Sequence, residues 1–185
     1  MSDQGFCPFE TAIGTCGVVW NARGLVAVLL PELGGRSMRE HIARRHPQAL
    51  EAEPPPEVGA AIEAMTALLA GEPRDLSFIA LDLERTGAFE RRVYDIARAI
   101  PPGATLTYGE IAGRLGEPQA AQAVGQAMGR NPWPIVVPCH RVLGAGGKVG
   151  GFSAPGGAKT KLRMLEIEGA LRPEGLPLFA QDRLP

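Results

Sequence analysis

The chain has 185 residues, enough for one large domain or two small ones with a buried core. Its 45% hydrophobic and 21% charged residues are typical of a soluble globular protein, and no apolar stretch approaches the roughly 20 residues that span a bilayer. Residues 1–5 have neither a basic start nor an apolar run, so we expect no signal peptide and a cytosolic protein. Three widely spaced cysteines argue against a disulfide framework.

The net charge of -1 is unevenly distributed. Residues 1–85 carry 7 Lys/Arg and 12 Asp/Glu, whereas residues 86–170 carry 10 and 6. This asymmetry indicates an acidic first half and a second half that could face an anion, although chance explains it equally well.

The first half alternates between apolar runs and turn residues. Residues 14–20 and 25–30 are predicted strands, joined by a hairpin turn at residues 21–24. Ser37 is a predicted N-cap of a helix that runs to about residue 45, with Glu40 completing a capping box.

Two further elements complete this half. Residues 60–70, which follow three prolines, have helical composition, and residues 77–83 alternate as a strand does. We therefore predict an α/β domain over residues 1–85, a small sheet with helices.

From residue 88 the pattern becomes helical. Apolar residues recur at helical spacing up to the prolines at 101–102; they are Phe89, Val93, Ile96 and Ile100. Thr107 and Glu110 predict a capping box for a helix over residues 108–115. With the small-residue helix predicted over 120–129, this helix fits a helix-turn-helix. The small side chains favour either tight packing between helices or close approach to another surface.

The rest of the second domain, which we place at residues 86–170, surrounds Cys139. Residues 132–138 form a rigid apolar approach to it, and residues 144–151 contain five glycines. Residues 152–157 are a predicted loop and residues 159–168 a final helix. Residues 171–185, with three prolines, form a predicted tail.

Cys139 is the candidate nucleophile. A cysteine reacts as the thiolate, so it needs a base, a positive neighbour or a helix N-terminus that lowers its pKa. His140 and Arg141 follow directly. In an extended strand adjacent side chains point to opposite faces, so His140 can assist only if the chain turns there or a water bridges the two groups. From the residues alone an inert buried cysteine is the alternative.

The run Asn-Pro-Trp-Pro-Ile-Val-Val-Pro-Cys-His-Arg-Val at residues 131–142 closely resembles the O6-alkylguanine-DNA alkyltransferase family. The resemblance extends from about Phe89 to Gly169, with matching order at residues 100–103, 107–108, 123–125 and 127–128. The first half matches only in element order and at residues 11–14. The family implies a ribonuclease-H-like first domain and a mainly α, winged-helix-like second domain that carries the helix-turn-helix.

The resemblance implies roles for the residues that match the motif. Cys139 would accept the alkyl group, and His140 would act through water as its base. Glu168 on the final helix would orient His140, with Glu166 as the competing candidate. Asn131 would hold the turn before the active-site segment.

Other matching residues imply contacts with substrate. Tyr108 would crowd the phosphate of the flipped nucleotide and hydrogen-bond the guanine edge, and Ser153 would meet O6. Trp133, Phe152 and the 153–157 loop would set the size of the alkyl pocket. Residues 154–155 look like a two-residue insertion relative to the family.

The implied reaction is irreversible transfer of an alkyl group from O6-alkylguanine to Cys139, once per molecule. A thiolate does not reach a base inside a duplex, so the nucleotide must be flipped out. The family binds double-stranded DNA through the minor groove with the helix at 120–129. Gln122 stands where many members insert an Arg into the base stack, and Arg130 could contact a phosphate instead. We expect a monomer that needs no cofactor and does not associate with membranes.

Two alternatives stay open. The related alkyltransferase-like proteins flip and flag lesions without accepting the alkyl group, but they commonly carry Trp at the position of Cys139. Some relatives hold a structural zinc in the first half. Here the available ligands match no compact zinc pattern, so we expect no metal; they are Cys7, Cys16, His41 and His46.

Overall fold

The computed structural model describes residues 3–31, 34–149 and 156–171. The chain divides into two compact units. The first comprises Met1–Arg85 with Pro132–Val136, and the second comprises Thr86–Asn131 with Val137–Pro185.

The first unit contains a four-stranded sheet and two helices. Its elements are β1 (Gly5–Thr11), β2 (Gly14–Asn21), β3 (Gly24–Leu29), α1 (Met38–Arg45), β4 (Leu50–Glu51) and α2 (Pro56–Leu69). The strand order is β3-β2-β1-β4, antiparallel except that β4 pairs with β1 in parallel. The predicted hairpin of β2 and β3 is confirmed, and so is the capping box of Ser37 and Glu40 on α1. The expected sheet with helices is therefore present.

Helix α1 packs against the sheet at Gly17. A Cβ atom at Gly17 would lie 2.8 Å from both Ile42 Cδ1 and Met38 Sδ, so the ends of these two side chains would have to shift to make room for it. Met38 and Ile42 join a buried cluster with residues of β1, β2 and β3. Glycine at this position therefore lets the helix approach the strand closely enough to close the core.

The predicted strand at residues 77–83 is wrong. Only Leu81 forms a bridge, in parallel with Leu25, and Phe78 is exposed. The segment is held by two backbone hydrogen bonds with Leu25 and by the Asp82 carboxylate, which accepts hydrogen bonds from Asn21 and Arg23 at the hairpin turn. The alternation of apolar and polar residues at 77–83 therefore belongs to a loop that is bound to the hairpin, not to a strand paired along its length.

The other differences from prediction in this unit concern weak patterns. Strand β1 was not predicted, and it contains Pro8, which has no backbone N–H to donate to a neighbouring strand. Because β4 pairs with β1 only at Gly5 and Phe6, Pro8 leaves no position of that pairing without its hydrogen bond. Helix α2 begins at Pro56 rather than near residue 60, because proline at the first helical position needs no hydrogen bond from its nitrogen.

Residues 132–136, which the sequence analysis placed in the second domain, cluster with the first unit instead. Val28 N donates to Pro132 O at 2.9 Å, and the Trp133 indole Nε1 donates to Leu25 O at 2.7 Å. Ile135 is the only non-glycine residue with positive φ, 78°, in the described part of the chain. A β-branched residue rarely adopts this conformation, so packing in this unit must hold it there.

The second unit is mainly helical. Its elements are α3 (Ala88–Arg98), β5 (Leu106–Thr107), α4 (Tyr108–Arg114), α5 (Ala121–Gly129), a 3₁₀-helix (Cys139–Arg141), β6 (Val142–Leu143), a second 3₁₀-helix (Ala145–Gly147) and α6 (Gly157–Ile167). The predicted helices are confirmed in order, including the capping box of Thr107 and Glu110 on α4. Gly116 adopts a φ of 76° just past the end of α4, the left-handed conformation that ends a helix.

The short parallel pair of β5 and β6 was not predicted, because two-residue strands leave no pattern in a sequence. The pairing brings the start of α4 beside the residues that follow Cys139, Leu106 opposite Val142 and Thr107 opposite Leu143. Within the described ranges, no helix has the length and apolar character that crossing a membrane requires.

Candidate active site

Cys139 is the first residue of the 3₁₀-helix Cys139–Arg141. Two short hydrogen bonds make the turn: Cys139 N donates to Val137 O at 2.8 Å, and Arg141 N donates to Pro138 O at 2.8 Å. Successive side chains of a 3₁₀-helix are about 120° apart. The chain therefore turns at Cys139, as His140 requires if it is to assist the thiol.

Asn131 closes the segment that leads to Cys139. Its amide Nδ2 donates to Val137 O at 2.8 Å, which joins the two ends of residues 132–136. The same side chain hydrogen-bonds the thiol of Cys139. Asn131 thus positions the nucleophile and also contacts it.

Glu168, at the C-terminal cap of α6, joins two side chains that follow Cys139. Its Oε1 accepts from His140 Nε2 at 2.8 Å, with the ring tautomer assigned from this contact, and from Arg141 Nη2 at 2.7 Å. Side-chain exposure is 0% for His140 and 3% for Glu168. Glu166, the competing candidate, is 63% exposed and pairs with Arg163. The geometry therefore selects Glu168.

Burial and charge set the protonation of this pair. Burial would raise the pKa of Glu168, but the neighbouring imidazole and the Arg141 guanidinium together lower it well below its usual range. Burial lowers the pKa of His140, although the carboxylate of Glu168 opposes this. We therefore take Glu168 as ionised and His140 as neutral near neutral pH.

The neutral ring leaves one nitrogen able to accept a proton. With Nε2 donating to Glu168, Nδ1 is the basic nitrogen, and it has no hydrogen-bond partner among the described residues. Cys139, His140 and Glu168 thus have the order and chemistry that a nucleophile, a base and an orienting group need in an activated-thiol site.

The thiol itself is buried, with 8% of Cys139 exposed. Burial raises the pKa of Cys139, and three features oppose this: the hydrogen bond from Asn131, the positive charge of Lys161, and backbone hydrogen bonds. A thiol held in this way becomes a nucleophile only when its proton has an acceptor nearby.

Lys161 is the charged residue of this site that sequence reasoning missed. It is 1% exposed, and its Nζ donates to Val142 O at 2.6 Å. Burial lowers the pKa of Lys161 to about 8, while the Cys139 thiolate opposes the shift. The available signal was its spacing, since Lys161 falls on the buried face of α6 with Met164 and Leu165.

Arg141 is not the positive neighbour of the thiol that the sequence suggested. Its guanidinium donates through Nε to Glu168 Oε2 at 2.9 Å and through Nη1 to Ile100 O at 2.6 Å, in addition to its bond to Oε1. Lys161 provides the charge near the thiol instead.

The helix-turn-helix places the predicted DNA-facing residues around α4 and α5. Tyr108 begins α4, and its ring lies 3.9 Å from the point where Gly125 would carry a Cβ atom. Burial raises the pKa of Tyr108, and the thiolate of Cys139 adds to the shift, so the phenol lies within electrostatic range of the nucleophile. Gln122 is exposed on α5. Arg130, 67% exposed, makes a long 3.4 Å contact with Glu90.

The remaining predicted residues lie elsewhere. Ser153 and Phe152 fall outside the described residues, as do positions 154–155 and most of the 171–185 tail. Trp133 is 1% exposed and clusters with the first unit, and its place in an alkyl pocket stays a prediction.

The candidate zinc ligands are dispersed over three elements. Cys7 lies on β1, Cys16 is buried on β2, and His41 and His46 lie on and just after α1. Across the described residues, no three His, Cys, Asp or Glu side chains are grouped so that they could hold a metal ion.

Comparison with known proteins shows which family the chain is similar to. Residues 88–170 match the family model of the 6-O-methylguanine DNA methyltransferase DNA-binding domain. The methylated-DNA–protein-cysteine methyltransferase of Mycobacterium tuberculosis H37Rv is 45% identical over 119 residues, 64% of this chain and 70% of that protein. The protein of the same name from Methanothermobacter thermautotrophicus is 36% identical over 154 residues, 83% and 78%.

A crystal structure of Mycobacterium tuberculosis OGT in complex with DNA superposes with a TM-score of 0.71 at 33% identity, covering 94% of this chain and 95% of that one. The chain therefore belongs to the methylated-DNA–protein-cysteine methyltransferase family, whose members are methyltransferases of DNA repair.

Proposed function

We propose that this protein repairs DNA directly by moving the alkyl group of O6-alkylguanine, methyl above all, irreversibly to its own Cys139. The observation that carries the proposal is the buried Cys139, His140 and Glu168 series, in which a neutral imidazole is oriented by an ionised carboxylate. Membership of the family supports the same reading of the motif.

The chemistry follows from these groups. The thiol proton passes through water to Nδ1 of His140, and the thiolate attacks the alkyl carbon. The new S–C bond forms as the C–O6 bond breaks, and the electron pair stays on the guanine, whose edge Tyr108 hydrogen-bonds as it gains charge. The product thioether is stable, so each molecule reacts once.

The DNA side of the proposal concerns the second unit. Helix α5 enters the minor groove, where its small side chains permit close approach, and the damaged nucleotide is flipped out to reach Cys139. The complex of the Mycobacterium tuberculosis relative with DNA supports DNA as the partner. We also propose the finer fold description, ribonuclease-H-like for the first domain and winged-helix-like for the second.

Gln122 is the point where this chain departs from many members, which carry Arg there. Glutamine can hydrogen-bond the orphaned base, but it is shorter and lacks the planar cation. We expect Gln122→Arg to raise DNA affinity or the repair rate several-fold, by up to about one order of magnitude, roughly 1.4 kcal/mol. Stopped-flow flipping and single-turnover repair measure this, with Gln126→Arg, exposed on the same helix, as the control. Equal rates for Gln122→Arg and the native protein would contradict the assigned role.

A labelled-methyl assay tests the proposed function. DNA that carries O6-methylguanine with a radiolabelled methyl group is incubated with the full chain, and label bound to protein is counted. We expect label to reach at most one methyl per protein molecule, and Cys139→Ala to bind the DNA without taking label. DNA binding by the native chain with all label left on the DNA would favour a lesion-flagging protein, and label release beyond one per molecule would indicate hydrolysis.

A further inference from the structure

Arg141 takes no step in the proposed transfer, yet its side chain is buried. The residue is 5% exposed, and its guanidinium uses three nitrogens as donors. Two of them hold both oxygens of Glu168, at 2.9 and 2.7 Å, and the third donates to Ile100 O at 2.6 Å. Such a two-point grip on a carboxylate is specific to the planar guanidinium.

Arg141 and His140, the proposed base, bind the same oxygen of Glu168. Oε1 accepts from His140 Nε2 at 2.8 Å and from Arg141 Nη2 at 2.7 Å. A buried carboxylate beside an imidazole favours the protonated ring. An imidazolium has two N–H donors and no basic nitrogen, so it takes no proton from a thiol.

We propose that Arg141 is a positioning residue that keeps His140 in its neutral, proton-accepting form by balancing the charge of Glu168. The proposal rests on the proposed function in that it gives Arg141 a task in the activation of Cys139. The guanidinium also sets the orientation of the carboxylate through its second contact, so that Oε1 stays directed at the ring.

The other charged groups that face His140 are consistent with this balance. Cys139 and Arg141 belong to its own turn, and Lys161 and Glu168 come from α6 and its C-terminal cap. Burial is the largest effect and lowers the pKa of His140; Glu168 favours the protonated ring, and the charges of Arg141 and Lys161 oppose Glu168. Arg141 is bonded to both oxygens of Glu168, and Lys161 donates to Val142 O.

The state of His140 can be read without DNA. The full chain has 3 histidines, so ring ¹⁵N NMR on histidine-labelled protein resolves them, with His140→Gln to assign the signal. In the native protein we expect the His140 ring to be neutral at pH 7. In Arg141→Gln, which keeps an amide donor but loses the charge, we expect the midpoint to rise by about one pH unit or more.

Two matched variants separate charge from packing. Arg141→Lys keeps a positive charge but offers a point donor in place of a fork, so His140 should stay neutral at pH 7 while repair slows. Arg141→Gln/Glu168→Gln lacks both the carboxylate that favours the protonated ring and the guanidinium that balances it, so its ring should return to the neutral form. In single-turnover repair by Arg141→Gln, the pH at which the rate falls on the acid side should move up by the same amount as the NMR midpoint. Loss of packing alone would instead lower the repair rate equally at every pH.

An imidazolium signal for His140 in the native protein at pH 7 would overturn the proposal, and so would an unshifted midpoint in Arg141→Gln. If Arg141→Gln does not fold, the native titration decides by the same criterion. Because the NMR titration needs no DNA and the labelled-methyl assay needs no titration, failure of this inference and failure of the proposed function are seen in different experiments.

Discussion

A Glu168→Ala variant is expected to lose about 3–5 kcal/mol of folding stability and to transfer alkyl groups at least about 100-fold more slowly. The Glu168 carboxylate is buried and accepts hydrogen bonds from both His140 and Arg141. Its removal leaves the guanidinium charge without a partner in the interior, which is the costly way to break a buried pair. The imidazole also loses the group that fixes its tautomer, so Nδ1 is no longer held as the unprotonated nitrogen that accepts the proton.

Glu166→Ala is the matched control, because it removes the same group two residues earlier on α6. Glu166 is 63% exposed and pairs only with Arg163 three residues before it in the described structure, so its loss should change stability by no more than about 0.5 kcal/mol. Urea unfolding and single-turnover repair measure both variants. Equal losses in the two would show that position on the helix, rather than contact with His140, explains the effect.

The second large effect concerns the pH dependence of stability and comes from Lys161. Burial lowers its pKa to about 8 in the folded protein, against roughly 10.4 for an unfolded chain. Between these values the unfolded chain binds more protons, so folding stability from this group rises with pH. A Lys161→Met variant lacks the group. The stability of the native protein relative to Lys161→Met should therefore increase by roughly 3 kcal/mol between pH 7 and 10.5.

Urea unfolding at several pH values tests this, with both chains in a Cys139→Ser background so that the nearby thiol does not titrate. Lys159→Met, at an exposed position on the same helix, is the matched control against which the trend of Lys161→Met is compared. A stability difference that is flat with pH would mean that Lys161 keeps an ordinary pKa and carries no cost of burial.

The parts of the fold that the sequence predicted are those with local signals. Ser37 with Glu40 and Thr107 with Glu110 cap their helices through contacts three residues apart, and both capping boxes form as predicted. The strand expected at 77–83 failed because its alternation is local, while the contacts that hold it come from Asn21 and Arg23 about sixty residues away.

The same contrast holds at the site. The motif singles out Cys139 and His140 from the sequence, and the structure then places Glu168, rather than Glu166, in contact with His140. Lys161 escaped notice because a lysine on a helix is ordinarily solvated, and only packing shows that its ammonium is buried. The packing of Trp133 was also not visible in the sequence: its indole N–H donates to Leu25 O in the first unit, more than a hundred residues away along the chain.

Peptide mass spectrometry tests most directly whether Cys139 is the residue that accepts the alkyl group. After incubation of the full chain with double-stranded DNA that contains one O6-methylguanine, we predict a mass gain of one methyl group on the peptide with Cys139. The peptides with Cys7 and Cys16 serve as internal controls and should be unchanged. An unmodified Cys139 peptide from protein that has bound the DNA, or a methyl group on another residue, would contradict the account.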